Sequence, residues 1–268
     1  MPSAIDPKEE LLIISYVTGI DVQSIQLGCY TPSYEQNLEI QRLVNRRVAN
    51  EPLEYVIGSL SFLDLRLRVN SSVLIPRPET ELLVDKALKE ISLECEGAVL
   101  DLCAGSGCIG LSVKKHRPFT EVVLSDISFE ALEVAKKNSI LNNLDVSIVL
   151  GSFFDGVGGN RFDYLFCNPP YISEKDYSSL DSSVKDFEPK IALAGGGDGL
   201  LFYRLIAIEA KKHLNPGAKC FLEIGYDQGK EVLDLFSDGD WCNLRILKDY
   251  ASHDRFFFLE FSPNDGVK

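Results

Sequence analysis

Val99-Leu100-Asp101-Leu102-Cys103-Ala104-Gly105-Ser106-Gly107-Cys108-Ile109-Gly110 is the stretch on which the fold turns. A short apolar run gives way to glycines, the pattern of a strand that feeds a tight turn and then a helix. Gly105, Gly107 and Gly110 satisfy G-x-G-x-x-G, the spacing of a loop that brings backbone close to a nucleotide. Glycine turns follow many strands, so the loop alone does not name a ligand.

Downstream the rhythm repeats. Strands are predicted near 98–103, 121–126, 146–150, 162–167 and 217–225, separated by helical stretches such as Phe129 to Asn142. That alternation predicts an α/β fold with a mostly parallel sheet covered on both faces. Two last strands, about 244–249 and 255–262, lie too close together for a crossover helix and should form an antiparallel hairpin. The usual dinucleotide dehydrogenase does not end this way.

Upstream, Leu63, Leu65, Leu67 and Val69 alternate with Asp64, Arg66, Arg68 and Asn70, which predicts a half-buried strand in a linker hairpin. After Pro76 and Pro78 a helix should run to about Ile91. Residues 1–55 carry apolar positions at helical intervals, broken at Gly19, Gly28 and Thr31-Pro32. The expected division is a small helical module over 1–55, a linker hairpin over 56–80 and the α/β domain over 81–268.

Two acids bear on the ligand. Asp101 sits inside the strand just before the turn, where a carboxylate can receive a cationic amino group, directly or through water. A pyrophosphate would be poorly served there, because it wants N–H groups and a helix N-terminus. This favours S-adenosyl-L-methionine over NAD. Asp126 ends the next strand, where a carboxylate can accept from both ribose hydroxyls; its other reading is a helix N-cap before Phe129. After the third strand, Phe153 or Phe154 can lie against an adenine ring, or pack in the core.

Asn168-Pro169-Pro170-Tyr171 follows the fourth strand at once. In open α/β sheets, ligands sit beyond the carboxyl ends of the strands. A planar –NH₂, whose lone pair is delocalised, attacks poorly. The Asn168 side-chain oxygen and the Pro169 carbonyl can hold its two N–H bonds. Those bonds strengthen as the nitrogen takes a methyl group and becomes positive. The prolines stiffen the turn, and Tyr171 can stack on the amide plane. A complete tetrapeptide argues against a cofactor-binding protein with no activity.

These motifs resemble the N5-glutamine methyltransferases that modify peptide chain release factors. The resemblance runs over nearly the whole chain. It includes Ile75 to Glu81, the glycine loop, Asp126 with Asn138, Asn168 to Ile172, Phe187-Glu188-Pro189, Ala192-Leu193, Gly195 to Leu200, Glu223-Ile224-Gly225 and Asp254-Arg255. It implies a class I methyltransferase fold of seven strands, the last antiparallel, with an N-terminal helical domain that helps dock the factor. It also implies the substrate, the glutamine of a Gly-Gly-Gln loop in class I release factors, and a role in translation termination. By position it places Cys103, Ala104, Gly105, Ser106, Gly107, Asp126, Phe153 and Asn168 against the cofactor, and Asn168, Pro169, Pro170 and Tyr171 against the glutamine amide. Cys103 departs from this pattern, standing where a glycine is common; it is tolerated if its side chain points into the sheet. Ser152 stands where an acid often precedes the aromatic.

The formal net charge of −13 and the absence of a basic N-terminal module weigh against a nucleic-acid exocyclic-amine substrate. A ribosomal-protein glutamine methyltransferase is the nearer alternative. Seven scattered cysteines without a C-x-x-C pair predict reduced thiols and no metal. Acids near the first apolar run, and the shortness of that run, predict a cytoplasmic protein without a signal peptide or membrane span, and a monomer is expected. Trp241, His116, His213 and His253 read as packing or surface residues. The Gly195–Gly199 run reads equally as a mobile lid or a plain connection.

Overall fold

Seven strands make one sheet in the order β5-β4-β3-β6-β7-β9-β8, in a computed structural model that describes residues 5–237 and 239–263. The strands are β3 (Ala98–Leu102), β4 (Glu121–Asp126), β5 (Ser147–Leu150), β6 (Phe162–Cys167), β7 (Leu214–Glu223), β8 (Trp241–Lys248) and β9 (Asp254–Phe261). Strands β3 to β7 pair in parallel, with Leu100 opposite both Val123 and Leu165. Strand β9 runs antiparallel to β7 and β8, so the expected terminal hairpin is present, folded back so that β9 lies inside and β8 at the edge.

Period-two alternation sorts the core into two layers. Leu100, Leu102, Leu165 and Leu222 face Tyr203 and Ile206 of α10 (Leu201–Glu209) and Val232 of α11 (Gly229–Leu235). Val99, Phe166 and Phe221 face the opposite layer, α5 (Pro78–Leu88), α6 (Cys108–His116) and α7 (Phe129–Leu141). Each fully buried leucine contributes roughly 1.5–3 kcal/mol.

Two strands are longer than their patterns predict, for the same reason. Between Phe162 and Tyr164 the pairing of β6 with β7 jumps from Leu214 to Lys219. The bulge absorbs Asn215-Pro216-Gly217, a sequence that reads as a turn. Strand β8 carries a register shift between Cys242 and Arg245, with Asn243 at φ 52°, so its alternation is broken where it starts. Helix α5 begins at Pro78, its first helical residue, and ends before Ile91, which is nonetheless buried.

The hairpin of β1 (Ser59–Phe62) and β2 (Leu65–Arg68) buries Leu65, Leu67 and Val69 and exposes Arg66 and Arg68, as the alternation predicts. Leu63 is different: it lies in the turn at φ 48°, and Phe62 takes the buried place. The free edge of β2 meets Asn138 of α7 and Asn142, the cap that ends this helix, rather than another strand. Asn138 accepts from Arg68 N at 2.7 Å and donates to Arg68 O at 3.1 Å, while Asn142 treats Arg66 the same way at 3.2 and 2.9 Å. Asn138 Nδ2 also donates to Ser106 O at 2.9 Å, which ties the hairpin to the glycine loop.

Ahead of the hairpin lie α1 (Pro7–Thr18), α2 (Val22–Gln26), α3 (Tyr34–Val48) and α4 (Leu53–Ile57), the helices expected there. Asp6 caps α1, and Ser33 with Gln36 forms a capping box on α3. Ile13, Ile40, Leu43 and Val56 form their own small core. The outermost residues of the two terminal segments, 1–4 and 264–268, lie outside the described ones. Between β6 and α10 run two short helices, α8 (Glu174–Tyr177) and α9 (Ser182–Lys185). Among the described residues, no helix is long and apolar enough to cross a membrane.

Candidate active site

Strand order reverses at β3, with β4 on one side and β6 on the other, and a cavity of about 400 Å³ opens where these strands end. Of the residues singled out in the sequence, Cys103, Ala104, Gly105, Ser106, Asp126, Phe153, Asn168 and Pro170 line it. Asp101, Gly107, Pro169 and Tyr171 are adjacent in sequence to lining residues but do not line it themselves.

One side is the glycine loop. Gly105 and Gly107 take φ 54° and 79°, values that cost a residue with a Cβ. Gly110 has a different reason: a Cβ there would sit 2.3 Å from Leu124 and 3.0 Å from Asp101, so it lets α6 lie close on the sheet. Cys103 itself takes φ 60°. Its half-buried side chain both packs on the sheet core and lines the cavity, and it faces the buried Cys167 thiol. Pointing toward the sheet does not spare it strain: the left-handed backbone costs a residue with a Cβ about 1–2 kcal/mol.

Asp126 holds the loop in place. Its Oδ2 accepts from Gly105 N at 2.8 Å and its Oδ1 from Ser128 N at 2.9 Å. The cap of α7 is Ser128, whose Oγ accepts from Ala131 N, so Asp126 remains on the cavity wall with a spare lone pair on each oxygen. Burial pushes its carboxyl above the ordinary range, against the pull of those N–H groups. Asp101 is fully buried; its Oδ2 accepts from Gly110 N at 2.8 Å and its Oδ1 has no partner. Burial raises it to about 7.

The two phenylalanines part company. Phe154 is in the core, stacked on His213 with ring centres 5.0 Å apart. Phe153, at φ 55°, lines the cavity next to Phe202 of α10.

On the other side is the loop after β6. Asn168 Nδ2 donates to Thr80 Oγ1 at 3.3 Å, and Thr80 Oγ1 donates to Glu223 Oε2 at 2.7 Å. Tyr171 OH reaches Glu223 Oε1 at 3.4 Å. Glu223 is buried, which lifts its carboxyl to about 7 although Thr80, Arg255 and Tyr171 pull it down. Gln228 Nε2 donates to Tyr171 O at 3.0 Å and to Gly199 O at 3.2 Å. Gly195 N donates to Ile172 O at 2.8 Å, and Cβ atoms at 195 and 199 would lie 2.7 and 2.4 Å from Tyr171 backbone atoms. The glycine run is thus a buttress packed under Tyr171. Glu188, also buried, accepts from Ile75 N at 3.1 Å and pairs with Arg77, which fixes the segment leading to Thr80.

Sequence reasoning gave no role to Thr80, Glu223, Gln228 or Phe202. Thr80 and Glu223 lie in motifs that carried the resemblance, but spacing alone could not show that they meet. Phe202 and Leu205 form an i, i+3 pair on α10 that turns to the cavity while Tyr203 and Ile206 face the core, a stripe wider than a buried face alone requires.

Known proteins share this fold and much of this sequence. Residues 78–186 match the family model described as "Methyltransferase small domain". A methyltransferase from Pyrococcus furiosus has the same fold, with a TM-score of 0.56 at 21% identity, covering 85% of this chain and 98% of that one. The chain is 44% identical over 236 residues to "Release factor glutamine methyltransferase" of Chlamydia trachomatis serovar L2, covering 88% of this chain and 80% of the relative. It is 38% identical over 262 residues to the protein of the same name from Thermodesulfovibrio yellowstonii, covering 96% and 93%. Those alignments take in the glycine loop, Asn168 to Tyr171 and nearly everything that braces them, and on that extent the chain belongs to the release factor glutamine methyltransferase family.

Proposed function

We propose that this enzyme transfers a methyl group from S-adenosyl-L-methionine to the side-chain amide nitrogen of the Gly-Gly-Gln glutamine of a class I peptide chain release factor. The observation that carries the reading is one cavity with two chemically different walls. A loop of glycines with Asp126 and Phe153 forms the first, and Asn168 the second.

The residues of the first wall fit the donor. Asp126 has spare acceptor capacity for two ribose hydroxyls, and Phe153 offers a ring face to an adenine. Asp101 lies behind the loop with one oxygen unpartnered, so a cation in the cavity would favour its ionised form. When bound, S-adenosyl-L-methionine supplies a methyl group on a positively charged sulfur that leaves as a neutral thioether.

The second wall acts on the acceptor. The Asn168 side-chain oxygen and the Pro169 carbonyl take the two N–H bonds of the glutamine amide and aim its nitrogen. Those acceptors gain as positive charge grows on nitrogen, which lowers the barrier rather than merely tightening binding. Tyr171 and Pro170 exclude water from that side. No strong base is needed, because the methylated nitrogen is acidic and releases its proton to solvent.

The test offers labelled donor with a purified release factor, and with a variant whose Gly-Gly-Gln glutamine is replaced. Label is expected only on the native factor. Equal labelling of both would sink the substrate assignment, and labelling of RNA or DNA would move the activity to a nucleobase amine.

A further inference from the structure

We infer that Thr80 and Glu223 are positioning residues which, by fixing the direction of a hydrogen-bond chain, hold the Asn168 amide with its oxygen toward the substrate. The inference rests on the proposed methylation of a planar amide.

The argument is one of donors and acceptors. A threonine hydroxyl has one hydrogen to give. In its ionised form, which the Arg255 guanidinium nearby favours, Glu223 only accepts, and its Oε2 lies 2.7 Å away, so that hydrogen points to Glu223. Toward Asn168, therefore, Thr80 can only accept, and the group facing it at 3.3 Å must be the amide NH₂. The Oδ1 arm of the planar amide is left for the cavity that Asn168 lines. A reversed amide would present two N–H donors to a substrate –NH₂, and donor would face donor.

Among the groups around this carboxylate, the Arg255 guanidinium favours its charged form. Glu223 sits at the end of β7, 1% exposed, and its two oxygens end on neutral hydroxyls, those of Thr80 and Tyr171. Burying a charge on such partners is costly. What the cost secures is both ends of one tetrapeptide: Asn168 through Thr80, and Tyr171 directly. Thr80 comes from the first turn of α5, 88 residues before Asn168, and Glu223 lies 52 residues after Tyr171.

The test compares Thr80→Val, Thr80→Ser and Glu223→Gln with the wild type on a release factor. Valine keeps the shape and removes the hydroxyl. Serine keeps the hydroxyl. Glutamine turns one acceptor into a donor toward either Thr80 or Tyr171. Thr80→Val should lose roughly 10–100-fold in kcat. KM for the factor, and the affinity for S-adenosylhomocysteine read by calorimetry, should stay within about threefold, because these depend on contacts the valine leaves in place. Thr80→Ser should restore most of the turnover. Wild-type kcat in Thr80→Val, or serine falling as far as valine, would overturn the inference. Should the valine variant fail to fold, turnover kept by Thr80→Ser and lost by Glu223→Gln supports it, and equal turnover in the two overturns it. A wild-type enzyme that leaves the release factor unlabelled fails the proposed function instead.

Discussion

The two walls of the cavity are built by opposite means. The donor-side wall is local: residues 103–106, 126 and 151–153 lie at or just after three consecutive strand ends, and their geometry is fixed by backbone groups, the Asp126 carboxylate and the Asn138 amide on Ser106. The acceptor-side wall is a four-residue loop with little backbone support of its own, braced by Thr80, Gly195, Gly199, Glu223 and Gln228. A nucleotide wants close approach and a few acceptors, which glycines and one acid supply. Orienting an amide to within a hydrogen bond's tolerance needs an enforced direction, and that comes from side chains far away in sequence.

If the walls are independent in this way, substitutions should separate donor affinity from turnover. The sharpest case is Asn168→Ala, which should lower kcat by roughly 10²–10³-fold while leaving the affinity for S-adenosylhomocysteine within a few-fold. Donor affinity falling together with kcat would break the division. On the other wall, Asp126→Ala removes the acceptors proposed for two ribose hydroxyls and the tether of Gly105. Donor affinity should fall about 10²-fold by calorimetry, with KM for the release factor little changed. Gly199→Ala places a methyl group 2.4 Å from Tyr171 O at φ 77°. It should cost about tenfold in kcat without moving donor affinity, which would show the buttress acting on one wall only.

A smaller effect concerns acidity behind the donor wall. Asp101, at about 7 in the folded chain against an ordinary 3.8, keeps its proton longer when folded than when unfolded. Folding is therefore unpenalised below about pH 4, loses stability as pH rises through the window between the two values, and carries a constant penalty above it. Asp101→Asn removes that burden. Without donor, its melting temperature should gain on the wild type between pH 4 and 7, then hold a steady difference. A difference that did not change with pH would mean that Asp101 is ionised throughout. Smallest of all, Cys103→Gly should relieve the left-handed strain at φ 60° yet free the unfolded chain, leaving the melting temperature nearly unchanged.

The same contrast explains what could be read from the sequence. The donor wall was legible because each of its signals lies beside the strand that positions it: a glycine turn after β3, an acid ending β4, an aromatic after β5. The sheet was legible too, since alternation survives wherever pairing is regular. It failed at Asn215-Pro216-Gly217 and at Asn243, where bulges put turn residues inside strands. On the acceptor wall, Asn168 to Tyr171 stands out as a motif directly after β6, but its braces do not. Gly199 is a glycine because of Tyr171, and Glu223 is buried because of Thr80, relations set by topology rather than spacing. That is why the sequence alone does not separate a lid from a plain connection at residues 195–199 and does not show the buttress.

Asn138 and Asn142 carry a consequence for how the molecule opens. By pairing with the N–H and C=O of Arg68 and Arg66, two side chains four residues apart, in α7 and at its C-cap, act as the missing neighbour of an edge strand. The third bond, from Asn138 to Ser106, makes the hairpin and the donor loop share a side chain. Their amide protons should therefore exchange with solvent in one cooperative step, separate from that of the N-terminal helices, which close on a core of their own. Asn138→Ala would split that step in two, the hairpin exchanging ahead of the glycine loop it now secures.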